Sequence, residues 1–152
     1  MIGDLFEGLL QELSTAINIP LKPDAHNSCC IEFPDELILT LEPSVLGDLL
    51  QVVIEIGHVD EGKYRENLFR EALRANGLPT QHTGTFCYGA KTDMLLLYDH
   101  IPMEDINGLQ LAERIEQLSQ KARIWKDAIV HGDLPPYQGG SAMHHAEGIF
   151  GL

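Results

Sequence analysis

Apolar residues recur at helical spacing in three parts of the chain. In residues 2–18 and 103–129 they return every three or four positions, and Gly132 follows the last run as a stop signal. The central run, residues 62–77, ends at Gly77, where we expect a C-terminal cap with positive φ. The pattern therefore predicts three helices.

Five shorter segments alternate in the way that is typical of strands. Three of them, residues 28–33, 37–42 and 49–57, lie between the first and second helices and are separated by turn residues. Two more, residues 85–90 and 94–100, form a predicted hairpin after the central helix. The order helix–three strands–helix–two strands–helix predicts an α+β fold with an antiparallel sheet.

One face of the predicted sheet is apolar, and the opposite face is mixed rather than polar. On the second and third strands this mixed face carries Ile38, Thr40, Leu49, Gln51, Val53 and Glu55. Three apolar side chains on the outer face of such a small sheet are enough to form a patch.

The third helical run repeats its apolar residues at steps of four and three. This spacing is typical of a helix that covers a sheet with one stripe, and also of a coiled-coil seam. We favour the helix that covers a sheet. The stripe consists of Leu111, Ile115, Leu118, Ala122, Trp125 and Ile129.

The central helix carries an apolar arc over about half of its circumference, which is more than contact with one sheet requires. Arg65 lies within this arc, where a charge is costly unless a carboxylate meets it. We interpret the helix as buried on two sides, against its own sheet and against its copy in a homodimer. The alternative is a helix fully enclosed in a monomer. The residues predicted at the dimer interface are Tyr64, Arg65, Leu68, Phe69, Ala72 and Leu73.

Length and composition indicate one soluble globular domain. The chain has 152 residues, of which 44% are apolar and 22% charged, as in ordinary soluble proteins. Residues 1–132 form the predicted domain, and residues 133–152, rich in glycine and proline, form a predicted flexible tail. No apolar run reaches the ~20 residues of a membrane span, and the start lacks the basic region of a secretory signal.

The net charge of −13 restricts the expected partners. Such a chain repels nucleic acid and anionic membranes and favours basic or apolar partners. Its three cysteines, Cys29, Cys30 and Cys87, are odd in number and include an adjacent pair, so they form no disulfide framework. We therefore expect a reducing cytoplasm.

Motifs that would carry chemistry are sparse. Cys87 together with His58 or His82 is a candidate thiol–histidine pair for a small enzyme, although we favour an inert buried thiol. The seven histidines lack the spacing of a metal site, and no glycine-rich phosphate loop occurs. We predict no catalytic residues, no metal and no cofactor.

Several segments, in their order along the chain, resemble a known family. The first helix ends in INIPLKPD, and a strand–turn–strand unit reads CIEFPDELILTLEP. The central helix reads YRENLFREALRANG, and the hairpin GTFCYGAKTDMLLLYDHIP leads to a helix that ends in KARIWKDAI. Over residues 1–132 the chain resembles the class I type III secretion chaperones, the CesT/SycE/SicP-like family of bacterial cytosolic proteins.

This resemblance implies a homodimer without enzymatic activity that binds the non-globular N-terminal segment of a secreted effector and keeps it soluble for export. The middle helix would form much of the dimer interface, with Arg65 as a candidate for an interface ion pair. The effector segment would occupy apolar grooves and a sheet edge. The candidate groove residues, each also explicable as core, are Leu5, Leu9, Ile31, Phe33, Ile38 and Leu39. An adaptor domain that binds a folded partner remains the alternative.

Overall fold

The computed structural model describes residues 2–78 and 83–136, with residues 2–4 described only as part of a helix. The elements follow the predicted order. They are α1 (Ile2–Ile17), β1 (Cys29–Glu32), β2 (Ile38–Pro43), β3 (Leu49–His58), α2 (Lys63–Asn76), β4 (Thr85–Gly89), β5 (Met94–Pro102), a 3-10 helix (Met103–Asp105) and α3 (Gly108–His131). Most of the predicted tail, from residue 137 onward, lies outside the described residues.

Within the described part of the chain, the strands form one antiparallel sheet in the order β1-β2-β3-β5-β4. Strands β1 to β3 form a meander, and β5 joins the β4–β5 hairpin to β3. The α+β fold with an antiparallel sheet is therefore confirmed. Strands β1 and β4 are the two edges.

Alternation along the strands decides which side chains enter the core. Leu39 pairs with Ile54, and Leu41 pairs with Val52, and all four side chains are buried. Helix α3 packs on β3, and α1 packs on α3. The stripe of α3 is buried from Leu111 to Trp125, so the sheet-covering interpretation is confirmed.

The two later helices end differently although each is followed by a glycine. Gly132 adopts the left-handed conformation, φ 68°, after α3. Gly77, after α2, has a φ of −91°, so the expected positive φ was wrong. Its N–H donates to the carbonyls of Leu73 and Arg74, and this tightened last turn needs no left-handed residue.

The strands have two ends with different neighbours. The β2–β3 turn, residues 44–48, is tied to the 3-10 helix because the Met103 N–H donates to the Asp48 carbonyl at 3.0 Å. We call this the turn end, and α3 begins there. At the opposite end, which we call the α2 end, β3 runs into α2, and Ile129 of α3 packs against Gly57.

Helices α1 and α3 approach so closely that only glycine fits at their contact. The Gly108 N–H donates to Glu12 Oε2 at 2.8 Å, and a Cβ on Gly108 would lie 2.4 Å from the Glu12 backbone carbonyl carbon. Because the obstacle is backbone, the two helices would have to move apart to admit a methyl group.

We expect Gly108→Ala to lower the free energy of unfolding by about 1–3 kcal/mol, as overpacking does. Gly8→Ala in α1 is the matched control, because nothing lies within 4 Å of a Cβ built there. It should stabilise by about 0.5–1 kcal/mol through the helix preference of alanine. Denaturant unfolding at one fixed protein concentration measures both, and equal effects would refute the close contact.

Candidate functional site

Helix α2 turns a narrower apolar face to solvent than the sequence suggested. Leu68 and Ala72 belong to the core of the chain itself. Tyr64 and Phe69 are half-buried against that core, and Leu73 is 71% exposed. Of the six predicted interface residues, Leu73 is therefore exposed, Tyr64, Arg65 and Phe69 are half-buried, and Leu68 and Ala72 are buried.

Arg65 has the carboxylate partner that its position demands, but the partner lies in the same chain. Its Nη1 is 3.1 Å from Asp93 Oδ1, and the same nitrogen donates to the Tyr88 hydroxyl at 3.1 Å and to the Val59 carbonyl at 3.3 Å. The β4–β5 turn carries Asp93 to this position beside α2. A carboxylate for Arg65 is therefore supplied within its own chain, and its role in an interface ion pair stays a prediction.

The surroundings of Arg65 favour the charged form of its partner. Hydrogen bonds from the Tyr88 hydroxyl and from Arg65 hold the pKa of the Asp93 carboxyl below its ordinary value. The Arg65 guanidinium also lies over the ring of Tyr88, 5.1 Å from its centroid. The rings of Tyr88 and Phe69 contact each other in a tilted arrangement, with 5.1 Å between their centroids and 54° between their planes. Phe69, Leu73 and Tyr88 form what we call the α2 surface.

Two further side chains of α2 make bonds within the chain. The Tyr64 hydroxyl donates to the Asp133 carbonyl at 2.9 Å, and burial raises the pKa of this hydroxyl. The Asn76 side chain accepts from the Phe86 N–H at 2.8 Å and donates to the Phe86 carbonyl at 3.0 Å. Asn76 thereby occupies the outer edge of β4 at Phe86, and among the residues that the structure describes β1 is the open edge of the sheet.

The structure does not bring the six predicted groove residues together. Leu9, Ile31 and Leu39 are core residues. Leu5 is exposed on α1, and Phe33 lies in the β1–β2 turn, where the Arg123 guanidinium is 5.2 Å from its ring centroid. Ile38 points to the opposite face of the sheet from Leu39, because successive residues of a strand alternate.

The outer face of the sheet, away from α1 and α3, carries a half-buried patch of apolar and uncharged polar side chains, with the exposed Glu55 paired between Ile38 and Leu96. Cross-strand pairing places Thr40 beside Val53, and Val53 beside Tyr98. We call this set the outer patch. It consists of Ile38, Thr40, Gln51, Val53, Cys87, Leu96 and Tyr98, all of them neither buried nor fully exposed.

The sequence pattern located the β2 and β3 half of the outer patch and missed the β5 half. Pairing confirms that Ile38, Val53 and their polar neighbours share one face. Leu96 and Tyr98 were missed, although a signal exists. The run MLLLY is apolar on both faces of β5, which a strand with one solvated face does not need.

The candidate thiol–histidine pair is not assembled in the described residues. Burial raises the pKa of the Cys87 thiol, which is the opposite of what a nucleophile needs. His58 Nδ1 lies 3.4 Å from Asp60 Oδ1, and His82 lies outside the described residues. All three cysteines are free.

Residues 2–78 and 83–136 offer neither a metal site nor a membrane-spanning helix. No group of three or more histidine, cysteine, aspartate or glutamate side chains in these ranges has the arrangement of a metal site. None of the helices there combines the length and apolar character that crossing a membrane requires.

Several solved structures, all of them complexes, are similar to this chain in fold. The SchA–HopA1 chaperone–effector complex gives a TM-score of 0.69 at 20% identity, covering 83% of this chain and 96% of the matched chain. The Yersinia pestis type III secretion chaperone SycH, solved with a fragment of YscM2, gives 0.60 at 19%, covering 77% and 96%. The Pseudomonas aeruginosa ExoU–SpcU complex gives 0.60 at 14%, covering 85% and 99%. At these identities the likeness establishes the fold.

Sequence comparison supplies the family. No curated protein sequence matches the chain. A profile of the Tir chaperone protein (CesT) family matches residues 8–126, which extend from α1 into the last turns of α3. The matched family is one of chaperones rather than of enzymes. The chain therefore belongs to the Tir chaperone protein (CesT) family.

Proposed function

We propose that this chain is a type III secretion chaperone that binds an extended segment of an effector protein in the bacterial cytoplasm and keeps it competent for export. Membership of the CesT family supports this function, and the similar solved structures include chaperone–effector complexes. The observation that carries the proposal is the half-buried outer patch, which lies on the same sheet as the open edge strand β1.

An extended segment matches these two features physically. A strand added to the free edge of β1 forms backbone hydrogen bonds beside Cys30 and Glu32, and the part of the segment that continues from it crosses the outer face and contacts the outer patch. Because the segment loses chain entropy on binding, it must bury apolar area, at roughly 25 cal/mol per Å². The net charge of −13 keeps a protein with such a patch soluble and attracts a basic segment.

The predicted effector-binding residues contribute unequally to this proposal. Ile38 belongs to the outer patch, and Leu5 and Phe33 are at least partly accessible. Leu9, Ile31 and Leu39 support the site from the core, where they fix the sheet and α1 rather than meet the segment. Val53 and Tyr98 join the proposed contact residues.

The proposed assembly is a homodimer formed through the α2 surface. Phe69 and Leu73 are four residues apart on one helix face, and the ring of Tyr88 contacts that of Phe69. An exposed leucine next to two aromatic rings is typical of the apolar centre of an interface. A dimer also doubles the number of outer patches that one effector segment can contact.

The proposed function involves no catalysis. Cys87 contributes to the outer patch, and the raised pKa of its thiol supports an unreactive side chain. Its neighbour across the sheet is Leu96 rather than a base.

Val53→Asp should weaken effector binding at least tenfold. The substitution removes about 1.5 kcal/mol or more of stabilisation from valine burial and places a charge in the contact. The bound protein is identified by mass spectrometry after co-purification from the native cell, and calorimetry is then done with its N-terminal segment. Val130→Asp is the matched control and should bind normally, because Val130 is exposed on α3, on the other side of the sheet. A folded Val53→Asp variant that binds normally would exclude the outer patch as the effector site.

Leu73→Asp should convert the dimer to a monomer, because a charge would enter the apolar centre of the α2 surface. Light scattering should give about twice 16.9 kDa for the wild-type chain and 16.9 kDa for the variant. Leu109→Asp is the matched control, an exposed leucine at the turn end that should leave the dimer intact. A monomeric wild-type chain at micromolar concentration would contradict the proposed assembly.

Iodoacetamide should alkylate Cys30 first, because Cys30 is exposed, whereas burial raises the thiol pKa values of Cys29 and Cys87. Mass spectrometry of timed digests gives the three rates. If Cys87 reacted fastest, the result would support the hypothesis of a thiol-dependent enzyme and contradict a purely binding role.

A further inference from the structure

We infer that the turn between β2 and β3 is a docking tip for a folded protein whose surface presents an apolar pocket bordered by lysine and arginine. The docking tip consists of Val45 and Leu46. This contact goes beyond effector binding and dimer formation, and it uses residues that neither of those functions requires.

The first observation is the exposure of the tip. Val45 is fully exposed and Leu46 is 79% exposed. Tight turns normally carry glycine, proline, asparagine, aspartate or serine, which solvate well and suit the backbone. Two adjacent large apolar side chains in this position have no packing role within the described chain, and apolar surface of this kind typically marks an interaction site.

The second observation is that the backbone holds the tip in one conformation. The Ser44 N–H donates to the Leu49 carbonyl at 2.8 Å, and the Ser44 hydroxyl donates to Asp48 Oδ1 at 2.9 Å. The Gly47 N–H closes the turn on the Ser44 carbonyl at 2.8 Å. The Met103–Asp48 bond then fastens the turn to the 3-10 helix. A pre-organised tip loses little entropy when it binds.

The third observation is the position of the tip relative to the other surfaces. The tip lies at the turn end, whereas the α2 surface lies at the α2 end, and the ten residues of β3 separate them by about 33 Å. Leu109, 64% exposed on the first turn of α3, lies at the same end as the tip. A partner at the turn end therefore leaves the α2 surface free.

The charge around the tip defines the partner. Residues 42–49 and 101–113, two segments at the turn end, contain no lysine or arginine. Asp48, Glu104 and Asp105 are exposed beside the tip. Complementary recognition thus requires basic residues around the pocket that receives Val45 and Leu46.

The shape of the tip argues against two other occupants. A convex turn offers neither a groove nor a free strand edge, so an extended effector segment gains little by contacting it. A second copy of this chain would bring two acidic turn ends together, which electrostatic repulsion opposes. A concave site on a folded basic protein satisfies both the shape and the charge.

The test places the photo-crosslinking residue p-benzoylphenylalanine at position 45 of the full chain in the native cell, with position 91 in the exposed β4–β5 turn as the control site. We expect position 45, and not 91, to crosslink to a folded protein through a peptide that contains lysine or arginine. That protein, purified, should bind the wild-type chain in a salt-sensitive manner. It should bind the double variant Val45→Ser/Leu46→Ser at least tenfold more weakly.

The same double variant separates this inference from the proposed function. It should remain dimeric and bind the effector segment as the wild-type chain does, because neither serine touches the outer patch or the α2 surface. Loss of effector binding in the variant would overturn the docking tip as a separate site. The inference would also be overturned by a crosslink to the effector segment or to a second copy, or by the absence of a crosslink. It would equally be overturned if the double variant bound the partner with the affinity of the wild-type chain.

Discussion

In the described part of the chain helices cover one face of the sheet and leave the other face uncovered, and the rest of this structure depends on that constraint. Leu39, Ile54 and Leu97 turn inward under α1 and α3 and form the core. Because successive side chains of a strand alternate, their neighbours lie on the other face, where the apolar side chains of Val53 and Tyr98 are only half-buried. A small domain tolerates such a patch when its charge prevents aggregation, and 23 acidic residues against ten basic ones supply that charge. The same patch provides apolar surface that an extended partner can bury on binding.

Helix α2 shows how one element serves both the interior and the surface. Its buried side, Leu68 and Ala72, completes the core, and Asn76 closes the edge of β4. Arg65 and Asp93 hold the β4–β5 turn against the helix, and this brings Tyr88 alongside it. The open edge of β1 lies at the far side of the sheet from α2. A subunit contact through α2 and the addition of an effector strand at β1 are therefore compatible.

The fold was predictable because its signals are local. Steps of four and three from Leu111 onward, and the alternation of Leu39 and Leu41 with their polar neighbours, each depend on a few adjacent residues. The site was less predictable because it depends on pairing between distant strands. Ile38 and Leu39 are adjacent in sequence but lie on opposite faces, so they cannot line one groove. The partner of Arg65 is 28 residues away in a turn, and no local pattern identifies it.

The central claim is that an effector segment adds to β1 and covers the outer face of the sheet. Amide hydrogen exchange of the chaperone, with and without the effector's N-terminal segment, tests it most directly. The account predicts a large gain of protection at the amides of residues 29–32 that point to the free edge, a smaller gain along β2 and β3, and no change at the β2–β3 turn. Protection confined to α2 or to the β2–β3 turn, with β1 still exchanging as in the free protein, would contradict it.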